Sequence, residues 1–435
     1  MAQASPRHTF LTLSRSSELR SGMTSLRLFA LASLSYAITG MSLVAQDWTR
    51  FRGPNGSGHA TSLQLPAKLT EQDYLWRVKL PGHGHSSPVI WGGRVFITSS
   101  PEGTATRVFS CHDAATGKVL WRKDFETGAF RQHADNSFTS STPAVDGERV
   151  YGWWASPDGS VLVALDQTDG REIWRKELGP FVAQHGAGAS PIVVNGLVIL
   201  NFDQEQPGSF VVAVDAKTGD QRWKLERESS SSTASTPCVI EGAKGSVPQL
   251  VLIGRTTGAT GVDIPSGKAL WNVPGILPRR CVASPIVTES GLIIAQCGEG
   301  SAESFVVALR PGASEEPPKK VYDLVRIGGY VPTPIAVGDL LFLFKDNGLV
   351  SCVRASDRHQ LWSERVEGGF YGSPIHAQGR LYNMTKRGDL VVLNAGEKFE
   401  LLARVPLGEG SHASPAASGG RLYLRTFTHL ICIGK

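Results

Sequence analysis

Ser/Thr-Pro dipeptides recur in this 435-residue chain, and eight of them fall at a regular period. The copies are Ser87-Pro88, Thr142-Pro143, Ser190-Pro191, Thr236-Pro237, Ser284-Pro285, Thr333-Pro334, Ser373-Pro374 and Ser414-Pro415, spaced 40 to 55 residues apart. A self-similar period of that length belongs to a ring or stack of small units, none of which buries its apolar face alone. Each copy continues alike: an apolar pair (PVI, PIVV), a Gly-rich turn (WGGR, VNGL, SGGR), a second apolar run (VFITSS, LVILNF) and a third (VLVALD, FVVAVD). Four copies then read Asp, three residues, Gly, three residues, Trp: DAATGKVLW at Asp113–Trp121, DQTDGREIW at Asp166–Trp174, DAKTGDQRW at Asp215–Trp223 and DIPSGKALW at Asp263–Trp271. Four short strands joined by hairpin turns make one antiparallel blade. The expectation is an all-β chain, an eight-bladed β-propeller of four-stranded antiparallel blades over residues 71–435.

Each repeated residue type has a reason. Proline lacks an N–H and fits a sheet edge or a strand start, as on the strand lining a central channel. The Asp accepts turn N–H groups, and the Gly supplies a positive φ. The Trp buries a large face, expected between neighbouring blades and contributing about 2–3 kcal/mol by area. Trp76, Trp121, Trp174, Trp223, Trp271 and Trp362 are the expected docking residues. After LICIGK the chain stops one strand short, and DYLWRVKL near the start, carrying Trp76, is expected to complete the last blade and close the ring. The motif decays unevenly: Arg354 and Arg358 replace Asp and Gly in blade six, Tyr322 and the loop RPGASEEPPKK stand in blade five, Leu402 in blade seven, and EGAKGSVPQ is inserted in blade four.

The net charge of +5 does not signal nucleic acid. Residues 1–45 hold four Arg and one Glu, leaving about +2 of scattered charge elsewhere, with no basic stripe. Arg27 followed by LFALASLSYAITGMSLVA, ending at Ala45, reads as a secretory signal over 1–45, with Met23 an alternative start and a membrane anchor the competing reading. Residues 46–70 then form an N-terminal extension. No later segment is apolar enough to span a membrane, so the mature chain is expected to be exported, periplasmic or extracellular. The six cysteines include no adjacent pair and no CxxC, which removes haem-attachment and zinc-knuckle readings. Cys111, Cys352 and Cys432 share one repeat slot with Ala164, Ala213 and Ala308, as small core residues do.

With the D-x3-TG-x3-W turn and the SP-x-V strand in view, residues 71 to 435 resemble the pyrroloquinoline-quinone (PQQ) propellers. That group includes quinoprotein alcohol dehydrogenases and the outer-membrane barrel-assembly propeller lipoprotein. DWTRFRGPNGSG at Asp47–Gly58 also resembles the lead-in of secreted planctomycete-type PQQ-like propellers. The dehydrogenase resemblance implies PQQ stacked between a Trp floor and a disulfide of adjacent cysteines, Ca²⁺ held by acidic and amide side chains, and an Asp base. This chain has no adjacent cysteines and no acidic cluster in the segments expected to face the channel. The lipoprotein resemblance implies a binding scaffold, although Gln46 stands where that group's lipidated Cys would be.

The segments before each Ser/Thr-Pro (GHGHSSP, SFTSSTP, HGAGASP, STASTP, RRCVASP, GGYVPTP, GFYGSP and EGSHASP) are expected to meet at one channel mouth. They offer His83, His85, His185, Arg279, Arg280, Tyr330, Phe370, Tyr371 and His412 as a ligand site for an anion or a sugar. In a closed ring His412 approaches His83 and His85, a donor set of imidazoles that polar lining of a wet mouth explains equally well, so no metal is assigned. No catalytic residue is assigned. Three functional readings stand: a non-catalytic scaffold binding another protein or a small polar ligand such as a sugar, a dehydrogenase using PQQ with Ca²⁺, and a propeller acting on polysaccharide as a lyase or sugar binder.

Overall fold

The computed structural model describes residues 47–61, 63, 65, 69–241, 247–300 and 303–434. The expected signal segment, residues 1–45, and the centre of the blade-four insertion lie outside these. The described residues form eight four-stranded antiparallel sheets. The first blade runs Val89–Trp91, Arg94–Ser99, Arg107–Asp113 and Val119–Phe125, each strand pairing with the next, and six more blades repeat that order. The eighth takes three strands from Ala416–Ser418, Arg421–Arg425 and His429–Ile433, and its fourth from Tyr74–Lys79, with Trp76 opposite Cys432 and Lys79 opposite His429. The N-terminal strand therefore closes the ring and removes an open edge.

The Ser/Thr-Pro dipeptides form a belt at the start of the innermost strands. The Ser87 N–H donates to Thr142 Oγ1 (2.9 Å), Thr142 N–H to Ser190 Oγ (3.0 Å), Ser190 N–H to Thr236 Oγ1 (3.1 Å) and Thr236 N–H to Ser284 Oγ (3.0 Å). The sequence continues from Ser284 to Thr333 (3.0 Å), Thr333 to Ser373 (2.9 Å), Ser373 to Ser414 (2.8 Å), and Ser414 back to Ser87 (3.0 Å). Eight hydrogen bonds thus close a circle, each linking one blade to the next. Every member is buried, so each hydroxyl satisfies a neighbour's N–H that water does not reach.

The repeated Asp, Gly and Trp work between blades at the outer edge. Trp76 Nε1 donates to Ala114 O, Trp121 to Gln167 O, Trp174 to Ala216 O and Trp223 to Ile264 O, each acceptor directly following the motif Asp of the next blade. The same indoles lie over the next blade's motif glycine. A Cβ built on Gly117, Gly170, Gly219 or Gly267 would come within 2.5–2.7 Å of the ring, and all four glycines have φ between 73° and 78°. The uneven decay follows this pairing in trans. Blade five carries Tyr322 in place of Trp, and the receiving position in blade six is Arg358, at φ 67°. Blade five's loop offers Trp271 no equivalent turn, and Gln249 bridges the gap, accepting from Trp271 Nε1 and donating to Ser314 O. Opposite each indole on the third strand sits a small residue: Cys432, Cys111, Ala164, Ala213, Gly261 and Cys352. All six cysteines are buried and free, and burial pushes the thiols of Cys111, Cys352 and Cys432 up to about 12. The adjacent Trp153 and Trp154 are both buried, in different apolar layers, so neither is the exposed ring that strand alternation allows.

The segment before the propeller crosses the channel. Trp48 exchanges both backbone hydrogen bonds with Ile90 of blade one, and Thr49 O accepts from Val145 N in blade two. Arg50 donates to Pro237 O, and Asn55 exchanges two hydrogen bonds with the Val239 backbone in blade four. Arg52, fully buried, donates to Pro334 O (3.0 Å) and Pro374 O (3.1 Å), in blades six and seven. Gly58 O and Ala60 N pair with the His376 backbone. Innermost strands from opposite sides of the ring are thereby tied to one segment. It lies beyond the prolines, on the far side of the hydroxyl belt from the segments that precede the dipeptides.

Thr236→Val keeps the shape and β-branching but removes the acceptor for Ser190 N–H, and is expected to cost about 1–3 kcal/mol in urea unfolding. No loss would mean the belt is incidental. Gly219→Ala should cost roughly 2–4 kcal/mol, from its left-handed φ and the Trp174 contact, whereas Arg358→Gly should be neutral or stabilising by up to about 1 kcal/mol. Equal losses for the two would contradict the trans pairing.

Candidate functional site

On the side of the belt that faces away from the crossing segment, the segments preceding the dipeptides surround a cavity of about 200 Å³. Its base is Phe51 of the crossing segment together with seven of the eight belt residues: Ser87, Thr142, Ser190, Thr236, Thr333, Ser373 and Ser414. Its walls carry His85, His185, Arg280, Tyr330, Tyr371 and His412.

His83 and Arg279 do not line the cavity. His83 packs behind, with its ring 5.0 Å from His85 and stacked on Phe427 at 4.8 Å. Arg279 points outward to Glu303 and Glu299. Its neighbour Arg280 turns inward, because successive side chains of an extended chain face opposite ways. Phe370 is buried beneath the mouth against Phe344. Three lining residues come from elsewhere: His133, Asp135 and Asn136, on the long connection between blades one and two. Their sequence signal is only a polar run, HADNS, in a connection longer than its neighbours.

Two clusters of side chains line the cavity. In the first, the His85 and His412 rings are 4.4 Å apart, and Tyr371 meets His412 edge-on at 4.5 Å. Burial, then the neighbouring His412, His83 and Arg425, holds the His85 imidazole well below its usual range, and burial pushes His412 down to about 4. Both rings are therefore neutral at neutral pH. His412 Nδ1 is buried without a hydrogen-bond partner among the described residues. Lys386 lies over the Tyr371 ring at 4.5 Å, and burial, followed by Asp135, raises that phenol to about 12. In the second cluster, the His133 and His185 rings are 4.2 Å apart. Arg280 Nη2 donates to Ser232 Oγ (2.8 Å), which in turn donates to Glu205 (2.9 Å). Arg280 Nε is buried and has no hydrogen-bond partner among the described residues.

The lining combines hydroxyls, imidazoles, phenols and one guanidinium. The belt hydroxyls accept from backbone N–H groups, and none pairs with a histidine among the described residues. No group of three or more His, Cys, Asp or Glu is arranged to hold a metal ion among them either. A PQQ–Ca²⁺ pair does not fit these residues. The base carries Phe51 and hydroxyls where an indole floor is required, and no cysteine lines the cavity. Asp135 is the single carboxylate present. The one amide, Asn136, is already spent, its Nδ2 on His185 O and its Oδ1 on Ser137 N and Ser140 Oγ.

Among the described residues no helix is long and apolar enough to cross a membrane. The chain is 34% identical over 148 residues to the quinohemoprotein alcohol dehydrogenase ADH IIB of Pseudomonas putida, covering 32% of this chain and 20% of that protein. It is 28% identical over 199 residues to the outer membrane protein assembly factor BamB of Moranella endobia, covering 43% and 46%. It thus spans less than half the length of these two relatives. The crystal structure of BamB from Moraxella catarrhalis superposes with a TM-score of 0.60 at 13% identity, covering 83% of this chain and 97% of that one, which establishes the shared fold. The profile of a single family matches residues 70–276 and again 260–427, nearly the whole propeller, and the chain belongs to that family, described as outer membrane protein assembly factor BamB.

Proposed function

We propose that this protein is an exported, non-catalytic propeller that binds an anionic, oxygen-rich group in the blind cavity at its mouth. The group is either a free small carboxylate or an acidic side chain of a partner protein. The observation that carries the reading is the buried Arg280 Nε–H donor, unpartnered among the described residues, on the wall of a cavity lined by a single carboxylate. Such groups are costly in isolation and are satisfied by a ligand that accepts hydrogen bonds. The signal reading of residues 1–45 supports export, and membership of a family described by an assembly factor supports a scaffold over an enzyme. The lack of fit for PQQ and Ca²⁺ weighs against the dehydrogenase reading.

Calorimetric titration with small di- and tricarboxylates, with an acidic peptide and with neutral sugars separates the sources. Binding of a carboxylate or of the acidic peptide is expected, lost at least tenfold in Arg280→Gln. No binding by either, or equal binding by the variant, discards the reading. A dye-reduction assay with added PQQ, Ca²⁺ and alcohols is expected to give no turnover, and robust turnover would reinstate the dehydrogenase.

The binding should also depend on pH. Both His85 and His412 are neutral at pH 7, and a bound anion favours their charged forms. Binding then takes up protons, so affinity rises as pH falls from 7 toward 5, by up to about tenfold per unit for each proton taken up. Affinity that is flat or falls with acid would mean these imidazoles do not face the ligand.

A further inference from the structure

The segment that crosses the channel is anchored on blade seven by a pair of histidines. His59 Nδ1 and His376 Nδ1 are 3.1 Å apart, with ring planes at 75°. Two imidazole nitrogens at that distance make a hydrogen bond only when one carries a proton and the other a lone pair. A second proton would leave two donors and two positive charges facing each other. The contact coincides with the backbone anchor: His59 bridges His376 in parallel, His376 N–H donates to Gly58 O, and Ala60 N–H donates to His376 O. His376 Nε2 is buried and makes no hydrogen bond among the described residues, so an added proton there finds no acceptor among them.

We propose that His59 and His376 form a proton-operated latch that holds the Asp47–Ala60 segment across the channel, and that acid releases this segment and opens the base of the mouth cavity. The charged groups facing the pair are Arg52, on the segment itself, and Glu289, from the turn of blade five. Arg52 opposes a positive charge at His59. Glu289 favours one at both rings, but its Oε1 already accepts from Gly338 N at 3.3 Å. Burial and the facing His59 together lower His376 to about 4, and burial with Arg52 lowers His59. The other side-chain anchors, from Arg50, Arg52 and Asn55, run to backbone groups that do not titrate in mild acid.

The sign follows from these directions. The docked segment holds neutral imidazoles, while the released segment holds imidazoles of ordinary affinity for protons. Docking is therefore at full strength above about pH 6.5 and weakens as pH falls below it, reaching its limit near pH 4, by up to roughly 300-fold for His376 alone. Because Phe51 is part of the cavity base, release turns a blind cavity into a through-channel.

The test is residue-resolved hydrogen exchange of the full chain at pH 7.5 and pH 5, corrected for the intrinsic rate. Protection of the Trp48, Gly58, Ala60 and His376 amides is expected to drop at least about tenfold at pH 5, while the Ser87, Thr142 and Thr236 amides of the belt keep theirs. In the double variant His59→Gln/His376→Gln, whose amides still meet but do not titrate, the drop should shrink to threefold or less. Asn at both positions serves as the companion variant if that one does not fold. Unchanged protection in the wild type, belt amides opening in step with the segment, or a drop that persists in the variants each overturns the latch.

Discussion

The circle of eight Ser/Thr hydrogen bonds is the constraint on which the rest of the molecule depends. Each blade's innermost strand begins at an N–H that water does not reach and that no strand of its own sheet satisfies. The hydroxyl of the next blade satisfies it, and the last blade satisfies the first. A ring of this kind fixes the height of every innermost strand relative to its neighbours, because sliding one blade along the channel breaks two bonds at once. It also explains why the residue before the proline is always Ser or Thr. Proline suits the edge position through its missing N–H, but only a hydroxyl supplies the acceptor.

The outer circumference is joined on a different principle. There an indole from one blade rests on the glycine of the next and donates to the carbonyl beside it. The inner belt is polar and directional, whereas the outer contacts are apolar and depend on area. Together they place the segments before each dipeptide in one plane around the channel, where the mouth cavity forms. The crossing segment seals the opposite side. The site is thus a by-product of symmetry, made specific by residues that break it: His85, Tyr371 and His412 share the slot two before the dipeptide, where the other blades carry Ser, Gly, Ala or Val, and Arg280 and the His133–Asn136 loop each occur once.

Blade number, strand order and closure by the Trp76 strand were legible in the sequence because they repeat. The partners in trans were not. The acceptor of each Ser/Thr amide lies 40 to 55 residues away, or at the other end of the chain for Ser414, and no periodic signal says which hydroxyl meets which amide. Arg358 reads as decay of the motif until Tyr322, one blade earlier, is seen beside it. The mouth was legible in part: six of the nine candidates line one cavity. Arg279 and Arg280 are adjacent and chemically alike, so only the local strand phase separates the outward from the inward side chain. The crossing segment occurs once, and Arg52 and His59 gain their meaning from carbonyls and an imidazole more than 280 residues away.

The residues that repeat are structural: the hydroxyl belt joins the blades at the channel and the Trp–Gly contacts join them at the rim. Native-state hydrogen exchange under increasing denaturant tests the central claim most directly. The amides of Ser87, Thr142, Ser190, Thr236, Ser284, Thr333, Ser373 and Ser414 should all exchange only through global unfolding and merge into one isotherm with one free energy. A subset that exchanges through local openings well below the global stability would show that the belt is not a continuous ring and would contradict the account.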